Sequence, residues 1–402
     1  MLSERELENL IQPILDRQDA INSYVIQKIA QRVKEIGHLL PSDVYKLERL
    51  LKSGSDVRAI NKEIARLTGL NERDIKKLIK QVAKEYYKDA KPYYDYRFKS
   101  FIPFEQNKPL QRLVNAIANQ TAETYVNLSR STAFMIRDLT NPARLIPTSL
   151  SKTYQTVVDE AIQASLSGVI DYGTAMRRTM NQLADSGIRS VQYTTETGRV
   201  HTQRLDSALR RNLLDGIKDI SQKVQDEIGE EIGADGKEIT VHANSAPDHE
   251  PIQGHQFSNE EYEKLQNSEP FQDVNGVKFD AIDRAIGEYN CRHFTYSIII
   301  GVNKPVYTQA QLNALIEANK KGYTDSKGNH MTKYECTQKQ RAMETEIRRH
   351  KDRYLVLKES GDTEGAKAER AKVVQLRKAY TAFSNAAGLS PKTDRLRVSG
   401  YR

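Results

Sequence analysis

Glu238-Ile239-Thr240-Val241-His242 and Phe294-Thr295-Tyr296-Ser297-Ile298-Ile299-Ile300 decide the fold of this chain. Each is a short β-branched or aromatic run with turn residues at its borders, the pattern of a strand. Between them lie Ala243-Asn244-Ser245-Ala246-Pro247-Asp248-His249-Glu250-Pro251-Ile252-Gln253-Gly254-His255 and, just before the second run, Asn290-Cys291-Arg292-His293. Proline, glycine and asparagine make this connection loop, with one short helix expected near Asn259–Gln266. The rest of the chain reads as charged helix. The spacing therefore predicts an α+β class that is predominantly helical: an elongated helical N-terminal part, a small central α+β domain with a few short strands, and a C-terminal helical hairpin.

Working outward, four regions are expected: 1–108, 109–232, 233–305 and 306–402. Residues 3–38 read as one helix, opened by a Ser3/Glu6 capping box, with Leu7, Leu10, Ile11, Ile14 and Leu15 on one face. Residues 42–90 read as three shorter helices capped at Ser42, Asp56 and Asn71. Glu63 to Ile75, with Gly69 as the turn, resembles a helix-turn-helix unit, which would put Arg73, Lys76 and Lys77 on a DNA-reading helix. The same spacing is produced by any small helical hairpin. Residues 86–108 interleave Tyr86, Tyr87, Tyr93, Tyr94 and Tyr96 with basic residues, which can serve nucleic-acid stacking; the favoured expectation is a linker whose rings pack on a neighbour.

In 109–232, Leu113 to Leu128, Val157 to Leu166 and Thr174 to Ala184 each read as helix, and a loop carries Gly198 and Arg199. Leu205, Leu209, Leu213 and Ile217 then recur at fours along a further helix. Residues 333–387 form a helical hairpin with a seven-residue apolar repeat, turning at Ser360 to Gly365. Its faces are thick with charge, so the apolar seam must dock, on itself or on another chain. The basic tail from Ser390 is expected to be mobile.

Hydrophobic residues make up 38% of the chain and charged residues 28%. That balance is lean for a compact globule and suits helical structure with a high ratio of surface to core. The net charge of +8 permits contact with nucleic acid or an acidic protein surface. Two cysteines make no secreted disulfide framework, so a reducing compartment is expected. The N-terminus lacks a basic region followed by an apolar run, and no apolar stretch is long enough to span a membrane.

Four of the eight histidines and one of the two cysteines fall between 241 and 293. Zinc takes imidazole nitrogen and thiolate in a tetrahedral array, and His242, His249, Cys291 and His293 are the candidate ligands. Cys291 and His293 are two apart, so they share a face of extended chain. The spacing matches no standard finger. Two other readings stay open: a structural polar network, with Cys291 as a small core residue, and a nucleophilic Cys291 with a histidine base. Against catalysis, Arg292 follows directly and no glycine-rich oxyanion turn is visible; no phosphate-binding loop, dinucleotide fingerprint or paired helical carboxylates appear either.

At this segment the chain resembles the phage minor capsid protein 2 family, grouped with the Mu-F-like head morphogenesis proteins of tailed phages. The matching residues are His242, Ser245 to His249 (including Asp248), Gln253, Gly254, Asn290 to His293 (including Arg292) and Gly301. The resemblance runs upstream through Tyr125 to Arg130, Gly198-Arg199 and Leu205 to Arg211, and downstream through Arg341, Glu344, Ile347 and Arg348. Ile252 stands where the family usually has an aromatic, and His255 where it usually has another residue. The resemblance implies a non-enzymatic structural virion protein, present in few copies in the capsid interior and met in the host cytoplasm during assembly. It implies association with the portal protein and with capsid or scaffold proteins, and for some members departure with the DNA; contact with viral DNA is the alternative that the basic N-terminal region leaves open. No small-molecule substrate is implied, and zinc is the one cofactor the residues suggest.

Overall fold

A computed structural model of the chain describes residues 4–36, 55–88, 90–97, 99–130, 134–137, 145–148, 190–194, 200–273, 277–288, 291 and 293–401, with 174, 177, 180–181 and 184–185. It is mostly helical, with a few short antiparallel strands in small sheets. The helices are α1 (Glu4–Ile36), α2 (Ser55–Lys88), α3 (Lys91–Tyr96), α4 (Lys108–Arg130), α5 (Leu205–Ile232), α6 (Asn259–Gln266), α7 (Gln309–Lys321), α8 (Lys333–Ser360) and α9 (Thr363–Ala386). The strands are β1 (Phe134–Arg137), β2 (Leu145–Thr148), β3 (Ser190–Thr194), β4 (Val200–Arg204), β5 (Gly236–Ile239), β6 (Gln256–Ser258), β7 (Phe271–Gln272), β8 (Lys278–Phe279), β9 (Thr295–Ile298), β10 (Tyr323–Thr324) and β11 (His330–Met331). The chain divides into two compact units that are discontinuous in sequence.

The first unit comprises 1–11, 73–123 and 211–339. Its centre is the sheet β6-β5-β9, in which β5 runs antiparallel to both neighbours. One core, formed by Ile239, Ile252, Phe257, Leu265, Phe279, Ile282 and Ile286, joins this sheet to α6 and the β7–β8 hairpin. Ser258 caps α6 reciprocally with Glu261, which fixes where that helix starts. Helix α5 is tied to β9: Gln222 Oε1 accepts from the Thr295 amide at 2.8 Å, and Ser297 Oγ donates to the Gln225 carbonyl at 2.7 Å. Gly229 permits this approach, because a Cβ there would lie 2.4 Å from Ser297 Oγ. Rings from the tyrosine-rich stretch complete the unit. Tyr86 meets Phe294 edge-on, Tyr87 stacks on Phe101, and Tyr94 is buried against Phe101, whereas Tyr96 stays exposed.

The second unit comprises 12–72, 124–210 and 340–402. Ile14, Leu15, Ile21, Val25, Ile26 and Ile29 bury one face of α1. The hairpin α8–α9 closes its seam on itself and on the tail through Ile347, Val373, Tyr380 and Leu396. The β1–β2 and β3–β4 hairpins have no counterpart in the sequence reading.

Two expectations are corrected. The helix start at Asn71 is absent: α2 runs unbroken from Ser55, one residue before the cap expected at Asp56, to Lys88, so the helix-turn-helix segment does not form. Asn71 is not a cap but a buried anchor in mid-helix. Its amide nitrogen donates to the Ile14 carbonyl at 3.3 Å and to Tyr125 Oη at 2.5 Å, and its oxygen accepts from Arg17 at 2.5 Å. The tail is ordered rather than mobile. A 3-10 turn over Thr393–Leu396 buries Leu396 and Val398, while Arg348 and Lys351 donate to the carbonyls of Arg395 and Leu396 at 3.0 and 2.6 Å. The helix expected over Val157 to Leu166, the cap at Ser42 and the loop residues Gly198 and Arg199 lie outside the described residues.

Candidate functional site

Because β5 is antiparallel to both neighbours, the starts of β6 and β9 flank its C-terminal end, on opposite sides and about 10 Å apart. The segments that lead into those two strands therefore converge beyond Ile239. Backbone hydrogen bonds hold them there. Gly254 N donates to the Ile239 carbonyl at 2.9 Å on one side, and Thr240 N donates to the Phe294 carbonyl at 3.0 Å on the other. Gly254 is at φ +75°, and a Cβ there would lie 2.6 Å from Leu312 and 2.9 Å from Val241. Both constraints require glycine.

The β6-side segment is a run of turns that presents His249, and the β9-side segment presents Cys291 and His293. All three are buried. Cys291 Sγ lies 3.5 Å from His249 Nδ1 and 3.7 Å from His293 Nδ1, and the three ligand atoms lie within 4.8 Å of one another. The fourth sequence candidate, His242, stands beside this group: its ring meets that of His293 edge-on with centroids 4.7 Å apart. His255 turns the other way, into the aromatic cluster of Phe257 and Phe279.

The outer nitrogens have partners of their own. His249 Nε2 is 2.7 Å from the Arg284 carbonyl, and His293 Nε2 is 3.4 Å from Gln253 Oε1. Gln253 Oε1 also accepts from the His242 amide at 2.9 Å. Arg284 grips the same turn with its side chain, donating to both oxygens of Asp248 at 2.8 and 3.0 Å. Sequence reasoning missed Arg284. Its contribution at His249 is a backbone carbonyl, which has no signature in residue type. Of the remaining motif residues, Gly301 takes a turn at φ +77°, and Asn290 and Arg292 lie outside the described residues.

The electrostatics follow from this packing. Burial pushes the Cys291 thiol up, but the His249 ring and the neighbouring backbone outweigh it and hold the thiol below its ordinary range. Burial alone would lower His249, yet Cys291, the Arg284 carbonyl and Asp248 raise it. His293 is driven down to about 2 by burial, with His242 and His249 adding to the effect. Burial would raise Asp248, while Arg284 and His249 hold it below the usual carboxylate range. Such a set fits a borderline-soft divalent cation, which takes imidazole and thiolate together. A nucleophilic Cys291 requires an open approach, whereas the thiol is only 3% exposed.

Arg73, Lys76 and Lys77 are not part of this site. They lie on α2, where Arg73 and Lys77 are exposed and Lys76 is half-buried. Among the described residues, no helix is long and apolar enough to cross a membrane.

No curated protein and no solved structure matches the chain. The family described as phage minor capsid protein 2 matches residues 2–385. That span takes in α1, the whole His/Cys segment and all but the last residue of α9. By this match along nearly its whole length, the chain belongs to the phage minor capsid protein 2 family of structural virion proteins.

Proposed function

We propose that the chain is a structural component of the tailed-phage head, binding the portal protein and the inner capsid or scaffold during head assembly and remaining in the capsid interior until it leaves with the DNA. It acts by docking, not by turning over a substrate. The observation that carries this reading is the family match over residues 2–385. The packing of the hairpin agrees with it. Because α8 and α9 bury their apolar seam in the molecule itself, the outer face of α9 is left to partners, with Lys367, Arg370, Lys372, Arg377 and Lys378 exposed beside Val374, and its charges set partner choice and encounter rate more than raw affinity. Co-sedimentation of the full chain with portal-containing procapsids tests the proposal. Recovery in that fraction is expected, weakening as salt is raised; a chain that stays in the supernatant at low salt defeats it.

A second reading, contact with nucleic acid, rests on one feature. Arg73, Lys77, Lys80, Lys84 and Lys88 lie at helical spacing along α2, and all are exposed. Such a stripe contacts phosphates without reading bases. Measurement of duplex DNA binding by the full chain across a salt series tests it.

A further inference from the structure

The two histidines present bare nitrogens to one sulfur. The Arg284 carbonyl is only an acceptor, so the His249 nitrogen 2.7 Å from it, Nε2, carries the ring hydrogen. Gln253 is fixed the same way. Its oxygen accepts from the His242 amide, which sets the orientation of the side-chain amide and turns that oxygen toward His293 Nε2. His293 therefore also carries its hydrogen on Nε2. Both Nδ1 lone pairs face Cys291 Sγ, at 3.5 and 3.7 Å.

Hydrogen bonding alone does not satisfy this arrangement. A thiol has one hydrogen and can donate to one ring only. Moving that hydrogen onto His249 gives a thiolate that accepts from one ring and still faces the lone pair of the other. A cation placed among the three atoms satisfies all of them. The dimensions agree: zinc bound to sulfur at about 2.3 Å and nitrogen at about 2.0 Å in a tetrahedron has a sulfur–nitrogen edge of about 3.6 Å. A carbonyl oxygen behind the far nitrogen of each imidazole is the outer arrangement that metal-bound histidines use to fix ring and tautomer.

We infer that the chain holds a zinc ion through His249 Nδ1, Cys291 Sγ and His293 Nδ1, fastening the segment that leads into β9 to the turn that leads into β6. The ion bridges the two flanking strands beyond the end of β5, where no ladder hydrogen bond joins them to each other. Its ligands come from positions 249, 291 and 293, so binding also closes the loop between them.

The test uses the untagged full chain, purified without chelator. Zinc by mass spectrometry at about one equivalent is expected, as is its removal by a chelator at the expense of thermal stability. Cobalt added to the stripped chain is expected to give a thiolate-to-metal charge-transfer band and tetrahedral visible bands, both abolished by zinc. Cys291→Ser is expected to remove the charge-transfer band and weaken zinc binding at least about tenfold. Should that variant fail to fold, alkylation of the unmodified chain decides: zinc is expected to protect Cys291 and leave labelling of Cys336 unchanged. A folded chain that takes up no zinc and shows no cobalt charge transfer, or Cys291 labelling indifferent to zinc, overturns the assignment. All of this is read on the isolated chain, whatever the outcome with procapsids.

Discussion

The oxygen of Gln253 accepts two hydrogens in a buried place, one from the His242 amide and one from His293 Nε2. Gln253→Ala removes the one acceptor that both share. Leaving buried donors without a partner costs about 1–3 kcal/mol each, so urea unfolding of the metal-free variant is expected to show a loss on that scale. The same substitution releases the His293 ring and is expected to weaken zinc binding about 10–100-fold without abolishing it. Unchanged zinc affinity would show that the carbonyl behind His293 does not orient the ring. Asp248 gives a pH dependence of defined sign. Its folded-state affinity for protons is lowered, with Arg284 and His249 outweighing burial. The unfolded chain therefore binds the proton first as pH falls. The stability that the Asp248–Arg284 pair contributes is complete above the unfolded carboxylate value of about 3.9 and drains away as pH falls through the lower folded value. For the metal-free chain, Asp248→Asn is expected to be less stable near neutrality and to lose less on acidification. Stability curves that run parallel from pH 6 down to acid denaturation would defeat this account.

At the scale of elements, the tail is the clearest consequence of packing that lies far apart in sequence. Leu396 and Val398 are buried, Tyr401 meets Tyr354 edge-on, and Ser23 on α1 donates to the Ser399 carbonyl. Each buried aliphatic side chain is worth about 1.5–3 kcal/mol. Removing 390–402 is therefore expected to lower the thermal midpoint and to expose the α8–α9 seam to a hydrophobic dye. A truncated chain that melts like the full one would mean that the tail only rests on the surface. The contrast with what the sequence made legible is physical. Helices α1, α5, α6, α8 and α9 were readable because each carries its own evidence: an apolar face at helical period or a capping box. The turn at Gly69-Leu70-Asn71 was misread for a local reason. Asparagine after glycine favours a break, but three partners from α1 and α4 hold Asn71 in mid-helix. In the tail, two apolar residues among basic ones show no period, so only the far partner reveals them. The candidate site was legible by residue type at His249, Cys291 and His293. The order β6-β5-β9, which brings them together, and the carbonyl of Arg284 behind them were not.

At the scale of the whole molecule, charge and docking separate the two readings of partner. The net charge of +8 is small beside 61 basic and 53 acidic side chains, so local stripes matter more than the total. Arg73 to Lys88 form one such stripe on α2, although Lys84 is paired with Glu105. Without a helix-turn-helix break, the stripe from Arg73 to Lys88 lies in the second half of a continuous helix and not at a helix start, a placement that suits phosphate contact. Affinity of that kind falls linearly in log salt with a slope near the number of phosphates neutralised, and non-specific binding is about 10⁻⁴–10⁻⁶ M at physiological salt. The full chain is expected to bind random and head-derived duplexes alike in anisotropy titrations. The Arg73→Glu, Lys77→Glu double substitution is expected to flatten the salt slope by about two. If the chain works by docking on portal and capsid, the same double variant keeps its association with procapsids at salt that has already released DNA. Loss of both activities together, with the fold intact by circular dichroism, would move the functional surface onto α2 and make nucleic acid the primary partner.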